Sequence, residues 1–309
     1  MRVAGIRALG AQVEILEVEE PRPLAADEAL IEVRSAGIGN WDNIVRTGDW
    51  DVGVSPPMAL GVEAAGVVKA IGARSNDFST DDEVLCHVAP LRDQGTWAPF
   101  VIAPVEALAH KPSAVSWDTA AVFPVPALTA GQVVDEALAL CGGETLLVHG
   151  AGGITGGLIV QLAALRGVDV LATAGPRSAD RVRGYGAREI FDYRDPMWPQ
   201  HAKVLAEGHI DAVANAARGG AANAMTALAD GGRLATITPD PPESTRGINV
   251  TAVYVRSDGA RLDSLAALLY EQRLHVPTPR TYGLAHAASA LAQVVAGREP
   301  SGAVIRTDS

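Results

Sequence analysis

From about residue 143 onward the hydrophobic pattern settles into a regular rhythm. Short apolar runs, of a length that suits strands buried on both faces, alternate with longer stretches whose apolar positions recur at helical spacing. Leu146 to Val148 is one such run, set between glycines, and Leu158 to Leu165 carries the helical period. The pattern predicts strand 145–149, helix 154–166, strand 168–173, helix 178–184, strand 188–192, a helix near 196–206, strand 210–214, helix 219–228, strand 232–237 and strand 249–255. Connections this short imply right-handed crossovers and a parallel sheet with helices on both faces. An amphipathic helix from Ala260 to about Tyr270 and another over 285–296 follow.

Residues 1 to about 125 read differently. Strands are expected at 12–18, 28–36, 62–71, 83–88 and 100–103, punctuated by Gly, Pro and Asp, with few and short helices. Ser116 offers an N-cap to an alanine-rich helix start that Pro124 and Pro126 interrupt. A further helix is expected from Ala127 to about Leu140. The fold class is therefore α/β: a β-rich part followed by a doubly wound parallel sheet.

Composition narrows the function classes. The chain has 309 residues, 48% of them apolar and 20% charged, with a formal net charge of −11. No stretch gathers the Lys and Arg that would track a phosphate backbone, which excludes a nucleic-acid partner. The amino terminus lacks a secretory apolar core and no apolar run reaches the about 18 residues that span a bilayer, so a cytoplasmic protein without membrane attachment is expected. Cys86 and Cys141 are too few for a disulfide scaffold or a four-thiolate zinc site, and read as small buried apolar residues.

The chemistry concentrates between the first strand and helix of the alternating part, at Gly150-Ala-Gly-Gly153-Ile154-Thr155-Gly156. Gly150 permits a sharp exit from the strand, Gly153 lets the backbone approach a pyrophosphate, and Gly156 lets the helix pack closely on the sheet. The free N–H groups at the helix start, those of Ile154 and Thr155 included, would face the phosphates. Nucleotide choice is read at the end of the next strand, Thr173-Ala-Gly-Pro-Arg177-Ser178. No carboxylate stands there to hold the ribose hydroxyls, as NAD would require. A guanidinium at Arg177 instead suits a 2′-phosphate, with Ser178 adding a hydroxyl and Arg181 able to take the place of Arg177 from the next helical turn. NADPH is the expected cofactor. Asn215, Thr236 and Thr238 fall at carboxyl ends of parallel strands, where open sheets bind ligands. His149, one residue before Gly150, has no second ligand at metal spacing and reads as a packing or cofactor-adjacent residue.

Several motifs together resemble the medium-chain dehydrogenase/reductase superfamily over nearly the whole length: Gly61-Val-Glu63-Ala-Ala-Gly66, Gly150 to Gln161, Tyr185-Gly186-Ala187 and Gly231-Gly232-Arg233. The resemblance implies a GroES-like catalytic domain over 1–125 and 260–309 and a Rossmann dinucleotide-binding domain over 126–259. Zinc-using members place Cys after the Gly-Ile dipeptide, but Gly37-Ile38 is followed by Gly39-Asn40; where they place His before Glu63 stands Val62. No metal site is expected, and the resemblance narrows to the zinc-free branch similar to quinone oxidoreductases and enoyl reductases. It implies that Thr129 reaches the nicotinamide region and that Tyr193 closes over the 2′-phosphate. It further implies that Asn40, Asp42 and Trp50 face the nicotinamide across an interdomain cleft lined also by Trp41 and residues near Leu91 to Trp97. Trp50 stands where quinone-reductase relatives often have Tyr, and Asn40 lies one residue beyond the family asparagine.

The implied activity is zinc-independent transfer of hydride from NADPH to a small-molecule quinone or α,β-unsaturated carbonyl compound. An enoyl reductase tailoring a polyketide-like intermediate is the alternative within the enzyme class, and a non-catalytic NADP(H)-binding sensor is the rival outside it. The β-branched strand Ile248 to Val255, at the end of the sheet, would pair with its symmetry mate in a homodimer.

Overall fold

The computed structural model describes residues 1–74 and 77–307, and the chain divides into two compact units. One comprises Met1–Leu128, Arg256–Gln272 and Pro277–Ser309; the other comprises Thr129–Val255 and Arg273–Val276. No helix among the described residues is long and apolar enough to cross a membrane.

The first unit opens with β1 (Arg2–Ile6), β2 (Glu14–Glu17), β3 (Glu28–Ile38), α1 (Asn40–Thr47), β4 (Met58–Ala59), β5 (Glu63–Ile71), β6 (Glu83–His87), β7 (Phe100–Pro104), β8 (Leu108–His110) and α2 (Trp117–Ala121). β1 pairs antiparallel with β2 and β4. Its glycine masks it in the sequence, since Gly weakens strands. Here Gly5 is required, because a Cβ would overlap the Met58 carbonyl of the neighbouring strand. The long antiparallel pair β3–β5 carries β7 on β3, β6 on β5 and β8 on β6. Ser116 caps α2 as its type predicts, its hydroxyl accepting the Thr119 N–H at 3.2 Å.

α3 (Pro124–Gln132) starts earlier than the sequence suggests and gives way to a π-helical turn at Val133–Ala137. Pro124 and Pro126 do not interrupt it, because both sit in the first turn, where no intrahelical N–H is needed. The second unit continues with β9 (Thr145–His149), α4 (Ile154–Leu165), β10 (Asp169–Thr173), α5 (Pro176–Gly184), β11 (Glu189–Phe191), α6 (Trp198–Leu205), β12 (Ala212–Asn215), α7 (Ala221–Met225), β13 (Arg233–Thr236) and β14 (Asn249–Ala252). All adjacent strands are parallel, in the spatial order β11-β10-β9-β12-β13-β14. That is the doubly wound dinucleotide-fold order, and it reverses direction between β9 and β12. Leu147, Leu171, Val213 and Leu234 stand in register across the strands and pack with Trp198, Ile210, Leu228 and Ile248 into one apolar layer. The alternate residues Leu146, Val148, Val170 and Ala172 are buried too, so the central strands meet no water on either face.

The chain then returns to the first unit with α8 (Gly259–Tyr270), β15 (Arg280–Gly283), α9 (Ala287–Val295) and β16 (Ala303–Arg306). β16 inserts antiparallel against β3, and β15 lies parallel to β16. Asp118 of α2 fastens this return: its carboxylate accepts from Ser35 at 3.0 Å, Thr281 at 2.9 Å and Arg306 at 2.8 Å. We predict that Leu147→Ala, which removes the centre of the apolar layer, lowers stability by about 2–5 kcal/mol, read from chemical denaturation.

Candidate functional site

β9 ends at His149, and the chain then turns sharply at Gly150, whose φ of +90 is a left-handed conformation. A Cβ there would also lie 2.9 Å from the Ala216 carbonyl carbon. Gly153 is the N-cap of α4, and a Cβ on it would meet nothing closer than the Gly150 oxygen at 3.8 Å, so the backbone faces open space. A Cβ on Gly156, by contrast, would overlap the Gly150 carbonyl oxygen. Among the described residues no backbone acceptor answers the amides of Ile154, Thr155 and Gly156; the first bond into the helix is Gly157 N–H to the Gly153 oxygen at 2.9 Å. Unpaired amides and the positive end of a twelve-residue helix converge at this edge, a cradle that fits a diphosphate.

The turn is latched from behind. Thr173, expected among the nucleotide contacts, is fully buried and turned inward instead. Its hydroxyl oxygen accepts the Gly150 N–H at 3.0 Å and lies 2.7 Å from His149 Nδ1. The hydroxyl thus ties the Gly150 amide to the His149 ring, and the imidazole tautomer sets which of Nδ1 and Oγ1 donates between them. Burial holds the His149 pKa down to about 4, so the ring stays neutral. The same ring stacks on Trp198 at 4.7 Å between centroids. No spacing rule in the sequence pairs residues 149, 173 and 198.

Beyond β10, the Ser178 hydroxyl donates to the Gly175 carbonyl at 3.2 Å, and Arg177 is exposed with no partner among the described residues. The Tyr193 ring, 54% exposed, approaches Gly175 at 3.3 Å from the position of a Cβ. Arg181 donates from Nη2 to the Gly152 carbonyl at 2.7 Å. Asn215 and Thr236 are fully buried at neighbouring strand ends, and the Asn215 amide donates to Thr236 at 2.9 Å and to Thr238 at 3.0 Å. These groups form a closed network along the carboxyl edge of the sheet. Thr129 lies buried in α3.

The first unit brings together a different set. Asn40 is exposed at the first position of α1. Asp42 has no exposed surface; its Oδ2 accepts the Gly39 N–H at 2.7 Å, and its Oδ1 finds no partner. A carboxyl so enclosed braces the loop and is out of reach of a substrate, a correction to the catalytic role expected for it. Burial pushes its pKa up to about 8, and burial raises Glu63 well above the carboxylate range. Glu63 Oε2 accepts the Val125 N–H at 2.8 Å. Trp97, expected to line a pocket, has no exposed surface and donates from Nε1 to the Gly37 carbonyl at 3.0 Å. Trp50 is half-buried, its ring 6.4 Å from that of His87. His87, which the sequence reading passed over, stands opposite Glu63 across β5 and β6 and is held by its Nδ1 at 3.0 Å from the Val62 carbonyl, with Nε2 buried and unpaired. A lone histidine carries no sequence signal for such a place.

Two outcomes follow. Gly156→Ala costs roughly 1–3 kcal/mol of stability through overpacking, whereas Gly153→Ala changes it by less than about 0.5 kcal/mol; thermal melting checks both. The folded-state pKa of Asp42 lies above its unfolded value, so its contribution is present below about pH 4 and is lost as pH rises through about 8. Denaturant unfolding between pH 5 and pH 8 should therefore show stability falling with pH in the native chain and a shallower fall in Asp42→Asn.

Residues 25–113 match the alcohol dehydrogenase GroES-like domain, and residues 185–302 match the zinc-binding dehydrogenase family. The chain is 29% identical over 263 residues to the trans-enoyl reductase ACTTS2 of Alternaria alternata, spanning 79% of this chain and 75% of that protein. It is 28% identical over 229 residues to the quinone oxidoreductase of Sus scrofa, spanning 73% of this chain and 69% of that protein. The crystal structure of an NAD-dependent alcohol dehydrogenase superposes with a TM-score of 0.87 at 26% identity, covering 99% of this chain and all of that one. The residues present do not fit a zinc ion: Gly39 and Val62 hold the family ligand places, and among the described residues no group of three or more His, Cys, Asp and Glu could hold a metal. With its sheet order, glycine turn and matched segments, this chain belongs to the medium-chain dehydrogenase/reductase superfamily and is an oxidoreductase.

Proposed function

We propose that this oxidoreductase is NADPH-dependent and zinc-independent and reduces a quinone or an α,β-unsaturated carbonyl compound. The observation that carries the reading is the pair of anion-seeking features in the second unit. The unpaired amides at Ile154–Gly156 offer a place for the diphosphate, and the exposed, partnerless Arg177 stands just past the end of β10. No Asp or Glu stands between Thr173 and Ala179 to hold ribose hydroxyls, and Asp169 is engaged by Arg188 at 2.8 Å at the far end of the strand. Ser178 and Tyr193 flank Gly175 and complete the 2′-phosphate end of the proposal.

The nucleotide supplies the hydride. What the chain supplies is orientation, worth about 7–11 kcal/mol of barrier when reacting atoms are well aligned. The Asn215–Thr236–Thr238 network and the Thr173 latch keep the sheet edge from rearranging. With the family's metal-ligand places filled by Gly39 and Val62, the favoured acceptor is one activated by its own conjugation. The likeness to the Alternaria enoyl reductase favours a second reading, an enoyl reductase acting on a larger unsaturated thioester or ketide.

Stopped-flow oxidation of NADPH against quinones and enones separates these readings by which acceptor turns over. Tight NADPH binding with no acceptor oxidising it would replace both with a sensor. Arg177→Ala should weaken NADPH binding by about tenfold and leave NADH unaffected; equal loss for both removes the 2′-phosphate assignment. β14 is an edge of the six-stranded sheet, which supports pairing of two copies there. Sedimentation should then report a dimer, and monomer alone at micromolar concentration would refute it.

A further inference from the structure

One face of α5 is turned toward the glycine turn. Ser178 Oγ lies 2.6 Å from where a Cβ on Gly152 would stand, Arg181 reaches the Gly152 carbonyl at 2.7 Å, and the Tyr185 ring comes 3.0 Å from a Cβ position on Gly157. Positions 178, 181 and 185 share a helix face, and 177 is offset from it. Arg177 and Arg181 consequently have different surroundings: Arg177 is exposed and makes no bond among the described residues, whereas Arg181 is half-buried with its Nε enclosed and unpaired.

We propose that Arg181 is a positioning residue for the diphosphate shared by NADPH and NADH, separate from the 2′-phosphate role assigned to Arg177; this rests on the nucleotide reading above. The Gly152 carbonyl is a partial negative charge inside a turn that must receive an anion. The guanidinium covers it and pins the 152–153 peptide. Because C=O and N–H point opposite ways across a trans peptide, a carbonyl held toward α5 directs the Gly153 N–H back into the turn, where it lies 3.3 Å from the Gly150 oxygen. The chemistry is that of a cation acting through one backbone peptide, indifferent to what the adenosine ribose carries.

The test is titration calorimetry of NADPH, NADH and ADP-ribose with the native chain, Arg181→Met, Arg181→Gln, Arg181→Lys and Arg177→Ala, at low and high salt, with melting of each free protein. The expected result is a loss of about tenfold for all three ligands in Arg181→Met. That loss should come with a smaller salt dependence, recovery in Arg181→Lys, and free-protein melting within about 2 °C of native. Arg181→Gln keeps a donor for Gly152 without charge and reads the charge contribution if the Met variant does not fold. Loss confined to NADPH would make Arg181 a second 2′-phosphate reader, and unchanged affinities would reduce it to a structural contact; either overturns the proposal. If the native chain binds none of the three ligands, the nucleotide reading itself falls.

Discussion

Everything in the second unit is arranged around backbone amides that have no partner of their own. A helix of twelve residues that begins one step after a glycine turn leaves its first N–H groups without acceptors, and at a buried strand end such groups must be answered by water or by an anion. The reversal of strand order between β9 and β12 opens the crevice at which this happens. The glycines there divide the labour: Gly150 sets the backbone angle, Gly156 lets the helix approach, and Gly153 keeps the front clear. The turn is then held from two sides, by Thr173 and His149 through the Gly150 N–H and by Arg181 through the Gly152 carbonyl.

The first unit shows what remains when a family's metal ligands are missing. Glu63 persists, but as a fully buried carboxyl that accepts the Val125 N–H and shares its neighbourhood with a second buried carboxyl, Asp42. Burial is the main cause that raises both, and the nearby Asp42 charge adds to the cost of ionising Glu63. Enclosed acids of this kind brace a loop well when protonated, and the cap that Asp42 offers to Gly39 requires only a carbonyl oxygen.

Much of this was legible in the sequence where one strong signal acts alone. β9 falls at the expected residues because a run buried on both faces and closed by glycines has no competing reading. The parallel order follows from the alternation. α1 was hidden because Asn-Trp-Asp-Asn-Ile-Val-Arg-Thr has little helix propensity; Asp42 at the start and the left-handed Gly48 at the end fix it. β15 and β16 are short and follow prolines, and only their pairing with β3 and with each other makes them strands. In the site, the glycines could be read from spacing. The inward turn of Thr173, the burial of Asp42 and Trp97, and the contrast between Arg177 and Arg181 depend on which way a side chain faces, a property set by tertiary packing.

The central claim is that the turn after His149 binds a diphosphate through its backbone. The most direct measurement is calorimetric titration of ADP-ribose, which carries the diphosphate and lacks the nicotinamide, into the native chain and into Gly153→Val, whose side chain would fill the open front of the turn. The account predicts binding to the native chain and a loss of at least about tenfold in the variant with folding intact. No heat with the native chain, or equal affinity in both, would contradict it.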